Sequence, residues 1–404
     1  MTTSVTERLE RVDRVVVSRA ALAYLAIALV LTTLTILANS YSGGDAGLKS
    51  IIDRLGLVGG WCRFDCGWYV VIAEQGYFYN PGYESSVAFF PGYPMAARGL
   101  GNIIGDIPLA VIITSWLSGF GAVIAYAAWC TGRLDRRVAT WSVAVLLLYP
   151  YGFYLFGAGY GDGLFLALAV SAFLLLERDH LFLAALAGAL AGATRSIGIV
   201  IFVSMVLVII DRRGGMPMRA PDSGWLAKLG LPASVSLKVL RGRDAFLFIA
   251  LLGPIGWSLF LNNRFGDGFA YVAVQEAWKQ KAGPETWLKF DLFREIANGQ
   301  DIYYVGSRLI QAGLLVVLLA LLPLVAKKLG PGYAAYSAAA VLLAALSNKD
   351  FQSVGRYAIA AFPIFVVVGI ELSARPRWGR WVLVLGAIFL CAGAFGFARG
   401  FYLS

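Results

Sequence analysis

The sequence predicts an all-α, polytopic membrane protein, on three observations. Of 404 residues, 59% are hydrophobic and only 14% charged, against about 25% charged in an average soluble domain. The mean hydropathy is +0.71. The apolar residues gather in runs close to the roughly 20 residues that cross a hydrocarbon core. With 34 Lys and Arg and 24 Asp and Glu, the chain has too few charges to coat a soluble protein of this size. Soluble enzymes, nucleic-acid binders and disordered chains are therefore disfavoured, despite a net charge of +10. Four cysteines exclude a disulfide scaffold, and a single histidine, His180, excludes a multi-histidine metal site.

Taken in order, the uncharged runs place spans near 20–38, 108–130, 138–157, 163–176, 181–194, 196–210, 245–262, 309–326, 331–347, 357–370 and 381–397. All eleven must be helical, because lipid offers no partner to open backbone groups. The first follows Arg8, Arg11, Arg14 and Arg19. It is too long for a signal-peptide core and lacks a convincing cleavage site, so it reads as an uncleaved span. The stretch 181–210 is long for one crossing and short for two, and positive-inside counting decides it. Two crossings, broken at Thr194-Arg195-Ser196, put 20 basic and 10 acidic residues on the cytoplasmic side, leaving 14 of each outside. One crossing would leave the basic residues almost evenly divided. The N-terminus is thus expected in the cytoplasm, together with the basic loop 211–244, which reads as a surface linker. The net charge is an orientation signal facing anionic lipid, and no nucleic-acid partner is needed. Arg outnumbers Lys 25 to 9, a composition suggesting a GC-rich bacterial genome and a plasma-membrane location.

The chain reads as one transmembrane domain, 1–404, with two long outer loops, 39–107 and 263–308. None of the eleven apolar cores contains an ionisable residue. Ion-coupled transporters place charges at membrane depth, so a secondary transporter is disfavoured. Long loops are usually functional, and both of these are dense in aromatics. Their helical patches, such as 68–73 and 269–274, are expected to lie on the membrane surface. Interfacial packing and ligand binding both suit Trp and Tyr there.

The outer-face motifs carry a resemblance. The string Arg63-Phe64-Asp65-Cys66-Gly67-Trp68-Tyr69-Val70-Val71-Ile72-Ala73-Glu74-Gln75-Gly76-Tyr77 resembles the first-loop signature of the PIG-V mannosyltransferases. Phe89-Phe90-Pro91-Gly92-Tyr93-Pro94 is similar to that family's aromatic-proline motif. Gly161-Asp162-Gly163-Leu164-Phe165, Ala193-Thr194-Arg195-Ser196-Ile197-Gly198, Gln275-Glu276-Ala277-Trp278 and Gly355-Arg356-Tyr357 follow in family order. At Gly161 the chain departs from the family, where serine is frequent. The resemblance implies a GT-C fold and an inverting transfer of mannose from a polyprenyl-phosphate donor to a lipid, glycan or protein acceptor at the outer face. A lipid-linked-sugar flippase without chemistry is the alternative from a different class.

Glycosyl transfer from a lipid phosphate needs a base for the acceptor hydroxyl, fixed positive charge for the phosphate, and a groove for the lipid. Asp65 is the candidate base, matched to the family's first-loop aspartate; a helix cap for 67–77 is its structural alternative. Arg195 and Arg356 are the candidates for the donor phosphate, which suits the planar guanidinium fork; snorkelling to headgroups competes with that role. Glu74, Asp162, Gln275, Trp278 and Tyr357 are candidates for the sugar or acceptor pocket. No metal or other cofactor is expected, because a lipid phosphate is already a good leaving group, although carboxylates 65, 74 and 162 could converge. Cys62 and Cys66 bracket Asp65. A disulfide there requires a local backbone that is not a regular helix, and two reduced, packed thiols are the alternative. Cys130 and Cys391 read as small apolar core residues.

Overall fold

The structure, a computed structural model, describes residues 12–40, 45–220, 224–278, 280, 283–299 and 301–402. Arg8 and Arg11 of the basic N-terminus lie outside them. Among the described residues the regular elements are helical, apart from one isolated bridge between Met218 and Pro232.

Each of the eleven apolar segments carries a helix. The first is α1 (Arg14–Ala38), and the first long loop then folds into α2 (Ala46–Leu55), α3 (Cys66–Gln75) and α4 (Gly92–Ile104). There follow α5 (Ile107–Arg133), α6 (Arg136–Leu147), α7 (Asp162–Glu177), α8 (Leu181–Gly192) and α9 (Gly198–Arg212). After the basic loop, a 3₁₀ run (Gly242–Leu251) continues directly into α10 (Leu252–Phe265). The second long loop carries α11 (Phe290–Ala297), and the chain continues through α12 (Ile302–Leu329), α13 (Pro331–Ser347), α14 (Val354–Tyr357), α15 (Pro363–Ala374) and α16 (Pro376–Ala398). Five stretches, α1, α5, Gly242–Phe265, α12 and α16, run 23 to 28 residues and are each long and apolar enough to cross a membrane. Val354–Ala360 and α15 meet at 90°, the bend of a broken span or a re-entrant loop. The other apolar segments form helices of 12 to 17 residues. The chain is an integral, multi-pass membrane protein.

Local chemistry sets the boundaries. Helix α1 begins six residues before the expected span because Asp13 caps it, accepting from the amides of Val15 and Val16. Asp106 caps α5 and Asp135 caps α6 in the same way. Lipid-facing helices show their apolar side chains outward, as with Leu25 and Leu29 on α1 and Leu385 and Phe389 on α16. Helix α7 is apolar on all sides and packs centrally against α5 and α8. Close approach of α5 to the turn 152–155 requires glycine at position 119, where a methyl group would overlap the Leu155 carbonyl.

Helix α3 and its loop are held by protein contacts. Helix α3 packs against α4 and α5, burying Tyr69, Val70, Ile72 and Ala73. The loop before it is pinned by Arg63, whose buried guanidinium donates to the carbonyls of Ala398 (3.0 Å) and Gly59 (2.8 Å) and to Oδ1 of Asn39 (2.9 Å). The patch at 269–274 folds as Ala270–Ala273 and a following 3₁₀ turn, against a small core of Val87, Phe90, Trp257 and Leu261.

Helix α7 has charge at both ends. Glu177, at its C-terminus, accepts from Arg133 Nε (2.6 Å), Trp129 Nε1 (3.1 Å) and the Tyr333 hydroxyl, tying α5, α7 and α13 together. Asp162, at its first turn, belongs to a second cluster about 24 Å away, the length of a 16-residue helix.

Candidate active site

Four charges from four separate stretches of chain meet in alternating order at this second cluster. Asp65 occupies the N-cap position of α3, yet its carboxylate makes no capping bond. Its Oδ2 lies instead 3.2 Å from Nη1 of Arg356. The Nε of Arg356 is 3.5 Å from Oδ2 of Asp162, and the other Asp162 oxygen accepts from Arg195 Nη1. The order is therefore Asp65, Arg356, Asp162, Arg195. Asp162 and Arg356 are almost fully enclosed, at 3% and 7% side-chain exposure, whereas Asp65 is 29% exposed. Among the described residues Arg356 Nε has no hydrogen-bond acceptor and meets Asp162 only at ion-pair distance.

Each charge is held by a short, constrained piece of backbone. Cys62 and Cys66 are joined in a disulfide, so the thiol alternative does not hold; Phe64 between them takes φ +52°, which breaks the helical register and lets the sulfurs meet. The Asp65 amide donates to the Tyr160 hydroxyl oxygen (3.2 Å), and that hydroxyl donates to the Arg63 carbonyl (3.2 Å). Arg195 sits at the sharp break between α8 and α9, where Gly192 and Gly198 touch backbone to backbone. Arg356 lies on the single turn α14. The Gly355 amide before it donates to Gln311 Oε1 of α12 (3.0 Å), and the Gly355 carbonyl accepts from the Tyr149 hydroxyl (2.9 Å).

Tyrosines wall the cluster. The Arg356 guanidinium lies 4.8 Å from the ring centre of Tyr160, 4.9 Å from that of Tyr357 and 5.4 Å from that of Tyr154, and Arg195 lies 4.5 Å from that of Tyr357. Such cation–π contacts gain most where water is excluded. Tyr69, one helical turn after Asp65, packs edge-on against Tyr93 and Phe89 and feels the charges of Asp65, Arg356, Arg195 and Asp162. Burial, reinforced by Asp65, pushes the hydroxyls of Tyr69 and Tyr160 far above the usual tyrosine range, so both stay protonated.

The structure thus brings together Asp65, Asp162, Arg195, Arg356 and Tyr357. It does not bring Glu74 to them: that carboxylate pairs with Arg54 on α2 at 3.0 Å, so the three carboxylates 65, 74 and 162 do not form one group. Gln275 donates back to the Tyr271 carbonyl of its own turn (3.2 Å). Trp278 reaches across from the second long loop and meets Trp68 and Phe89 edge-on, at 5.9 and 6.2 Å, in an aromatic wall continuing from Tyr69. Sequence reading missed Tyr69, Tyr154 and Tyr160. The four-residue step from Asp65 to Tyr69, one helical turn, was a usable signal for the first.

Comparison with known proteins follows this geometry. Mouse GPI alpha-1,6-mannosyltransferase 2 is 32% identical over 197 residues, covering 46% of this chain and 38% of the relative. The human protein of that name is 30% identical over 176 residues, covering 40% and 35%. The matched region thus spans less than two-fifths of either relative's length. In structure, the chain is similar to ArnT from Cupriavidus metallidurans, solved bound to undecaprenyl phosphate, with TM-score 0.50 and 12% identity over 94% of this chain and 74% of that one. The chain shares the fold of that structure and, over less than half of its length, resembles GPI mannosyltransferases. No family model matches it. An Archaeoglobus fulgidus oligosaccharyltransferase aligns at TM-score 0.48, with 12% identity over 94% of this chain and 55% of that one.

Proposed function

We propose that the chain is an integral-membrane, inverting glycosyltransferase that moves mannose from a polyprenyl-phosphate donor to a lipid, glycan or protein acceptor at the outer face. The observation that carries this reading is the alternating cluster, in which the most exposed member, Asp65, is free of capping duty and faces a buried arginine. Asp65 takes the proton from the acceptor hydroxyl as its oxygen attacks the anomeric carbon. The bond from that carbon to the phosphate oxygen breaks, and its electron pair leaves with the lipid phosphate. Arg356 and Arg195 meet the phosphate charge. Asp162 holds both arginines apart and oriented, and Trp278 with Trp68 forms an apolar wall toward the sugar or acceptor. No metal is required in this scheme, because the two guanidinium groups provide the positive charge.

The likeness to mannosyltransferases supports the sugar, and the undecaprenyl phosphate held by the ArnT structure supports a lipid-phosphate donor. The exposed apolar residues Leu190, Ile199, Leu252 and Ile255, on helices flanking Arg195, suit a polyprenyl chain that stays in the bilayer. The positive-inside asymmetry supports a cytoplasmic N-terminus, and the excess of Arg over Lys supports a bacterial plasma membrane. The flippase alternative finds no such support, since residues 163–176 between the two charged ends of α7 are uncharged.

Purified full-length protein, given radiolabelled polyprenyl-phosphate mannose and a membrane-lipid extract, is expected to form a labelled product and release lipid phosphate. Absence of both transfer and donor hydrolysis, in protein that binds the donor, would overturn the reading.

A further inference from the structure

Tyr160 has no part in the scheme above, yet it touches both of its working ends. Its side chain is fully buried in the short connection before α7. Its hydroxyl bridges the backbone on the two sides of Phe64, accepting from the Asp65 amide and donating to the Arg63 carbonyl, both at 3.2 Å. Its ring lies 4.8 Å from the Arg356 guanidinium. The neighbouring Gly159 fits against the same loop, where a methyl group would lie 2.6 Å from Cys66 Sγ. One rigid side chain therefore spans the backbone of the carboxylate and the face of the arginine, two groups 291 residues apart.

We infer that Tyr160 is a positioning residue that sets Asp65 and Arg356 in one register, its hydroxyl serving the carboxylate and its ring the arginine. The inference rests on the glycosyltransferase reading. The hydroxyl does this only while protonated, and burial keeps it so. Phe64, with φ +52°, is a conformation that non-glycine residues avoid, and it needs such a clamp on both flanking peptides. The two halves of the side chain divide the labour, which makes their roles separable. Removing the hydroxyl frees the Asp65 peptide and leaves the aromatic face under Arg356. Removing the ring disturbs both.

The test compares Tyr160→Phe and Tyr160→Leu with the parent, in full-length protein. Turnover and the donor KM are measured separately with polyprenyl-phosphate mannose, alongside hydrogen exchange of the peptide covering 63–67. Tyr160→Phe should lower kcat by about 10- to 100-fold, as misplacement of a reacting group by about 1 Å does. Its donor KM should stay within about twofold, and exchange at 63–67 should speed up. Tyr160→Leu should show the same kcat loss and also raise the donor KM severalfold, because a cation–π contact is gone. A Phe variant with parental kcat and parental exchange overturns the inference. So does a Phe variant whose donor KM rises as much as that of the Leu variant. If Tyr160→Leu does not fold, the Phe variant decides alone. A parent that transfers no sugar overturns the function proposed above and the catalytic part of this inference, while exchange at 63–67 still decides whether the clamp exists.

Discussion

Replacing Asp65 with Asn removes a charge and a proton acceptor while keeping the shape of the side chain. The structure bounds what else is lost. The Asp65 carboxylate caps nothing, so neither Asn nor Ala should cost the roughly 1 kcal/mol that a lost N-cap costs. Its one resolved ionic contact is with Arg356 at 3.2 Å, and Arg356 keeps Asp162 at 3.5 Å after the change. The buried guanidinium is therefore not stranded. A charged hydrogen bond of this kind contributes about 1.5–3 kcal/mol, which the partial exposure of Asp65 reduces to about 1 kcal/mol. The effect on the reaction is of another size. General-base catalysis is worth about 10²–10⁴-fold, or about 2.7–5.5 kcal/mol on the barrier. Asp65→Asn should accordingly fold, melt within a few degrees of the parent and lose at least about a hundredfold in turnover at saturating donor and acceptor. Donor KM should be unchanged or lower, because a competing anion has left Arg356. Asp65→Ala should match Asn in both stability and activity. The assay is transfer of radiolabelled mannose, with folding checked by thermal melting. Parental turnover in Asp65→Asn would refute the base assignment, and so would a stability loss confined to Ala, which would return Asp65 to a capping role.

Other outcomes follow from the same geometry. Arg195→Ala should raise the donor KM about 10- to 150-fold with less effect on the acceptor, read from donor and acceptor titrations. Arg356→Ala should do the same and also destabilise, since two carboxylates lose their shared partner. Gly355→Ala would push a methyl group into overlap with the Tyr151 ring. Overpacking of that kind costs about 1–3 kcal/mol, and activity should fall with stability because the Arg356 turn must shift. Lys289, in the second long loop, is buried, points its ammonium at the carbonyls of Ala345 and Asn348, and lies over the ring of Phe351. Burial pushes it down to about 8 from the model-peptide value of 10.5, with Asp350 pulling the other way. The unfolded chain therefore binds more protons between about pH 8 and 10.5, so stability should rise with pH across that window. Lys289→Met should flatten the rise in pH-dependent melting, and an unchanged slope would refute the assignment.

The helical, multi-pass architecture was legible because lipid admits few alternatives and leaves long uncharged runs behind. The break at Arg195 was legible from charge counting. The candidate base and both arginines were legible only through motif resemblance, since Asp65 and Arg356 are 291 residues apart and no periodicity links them. What stayed hidden depended on tertiary contact. The true start of α1 turned on one capping aspartate, and the burial of α3 turned on what packs around it. The disulfide turned on a positive φ at Phe64, which phenylalanine itself gives no reason to expect. Tyr160 looked like any other aromatic in an aromatic-rich chain, because its role comes from the two peptides it happens to face.

The buried Arg63 guanidinium has a consequence for biosynthesis. Two of its donors take the carbonyl of Ala398, the last residue of the last helix. The peptide two residues before the candidate base is thus completed by a group that is synthesised and inserted more than three hundred residues later. During insertion the first loop must wait without that carbonyl, and without Arg356, until α16 enters the bilayer and docks. The Arg63 loop therefore gains its full set of hydrogen-bond partners only after Ala398 has been made.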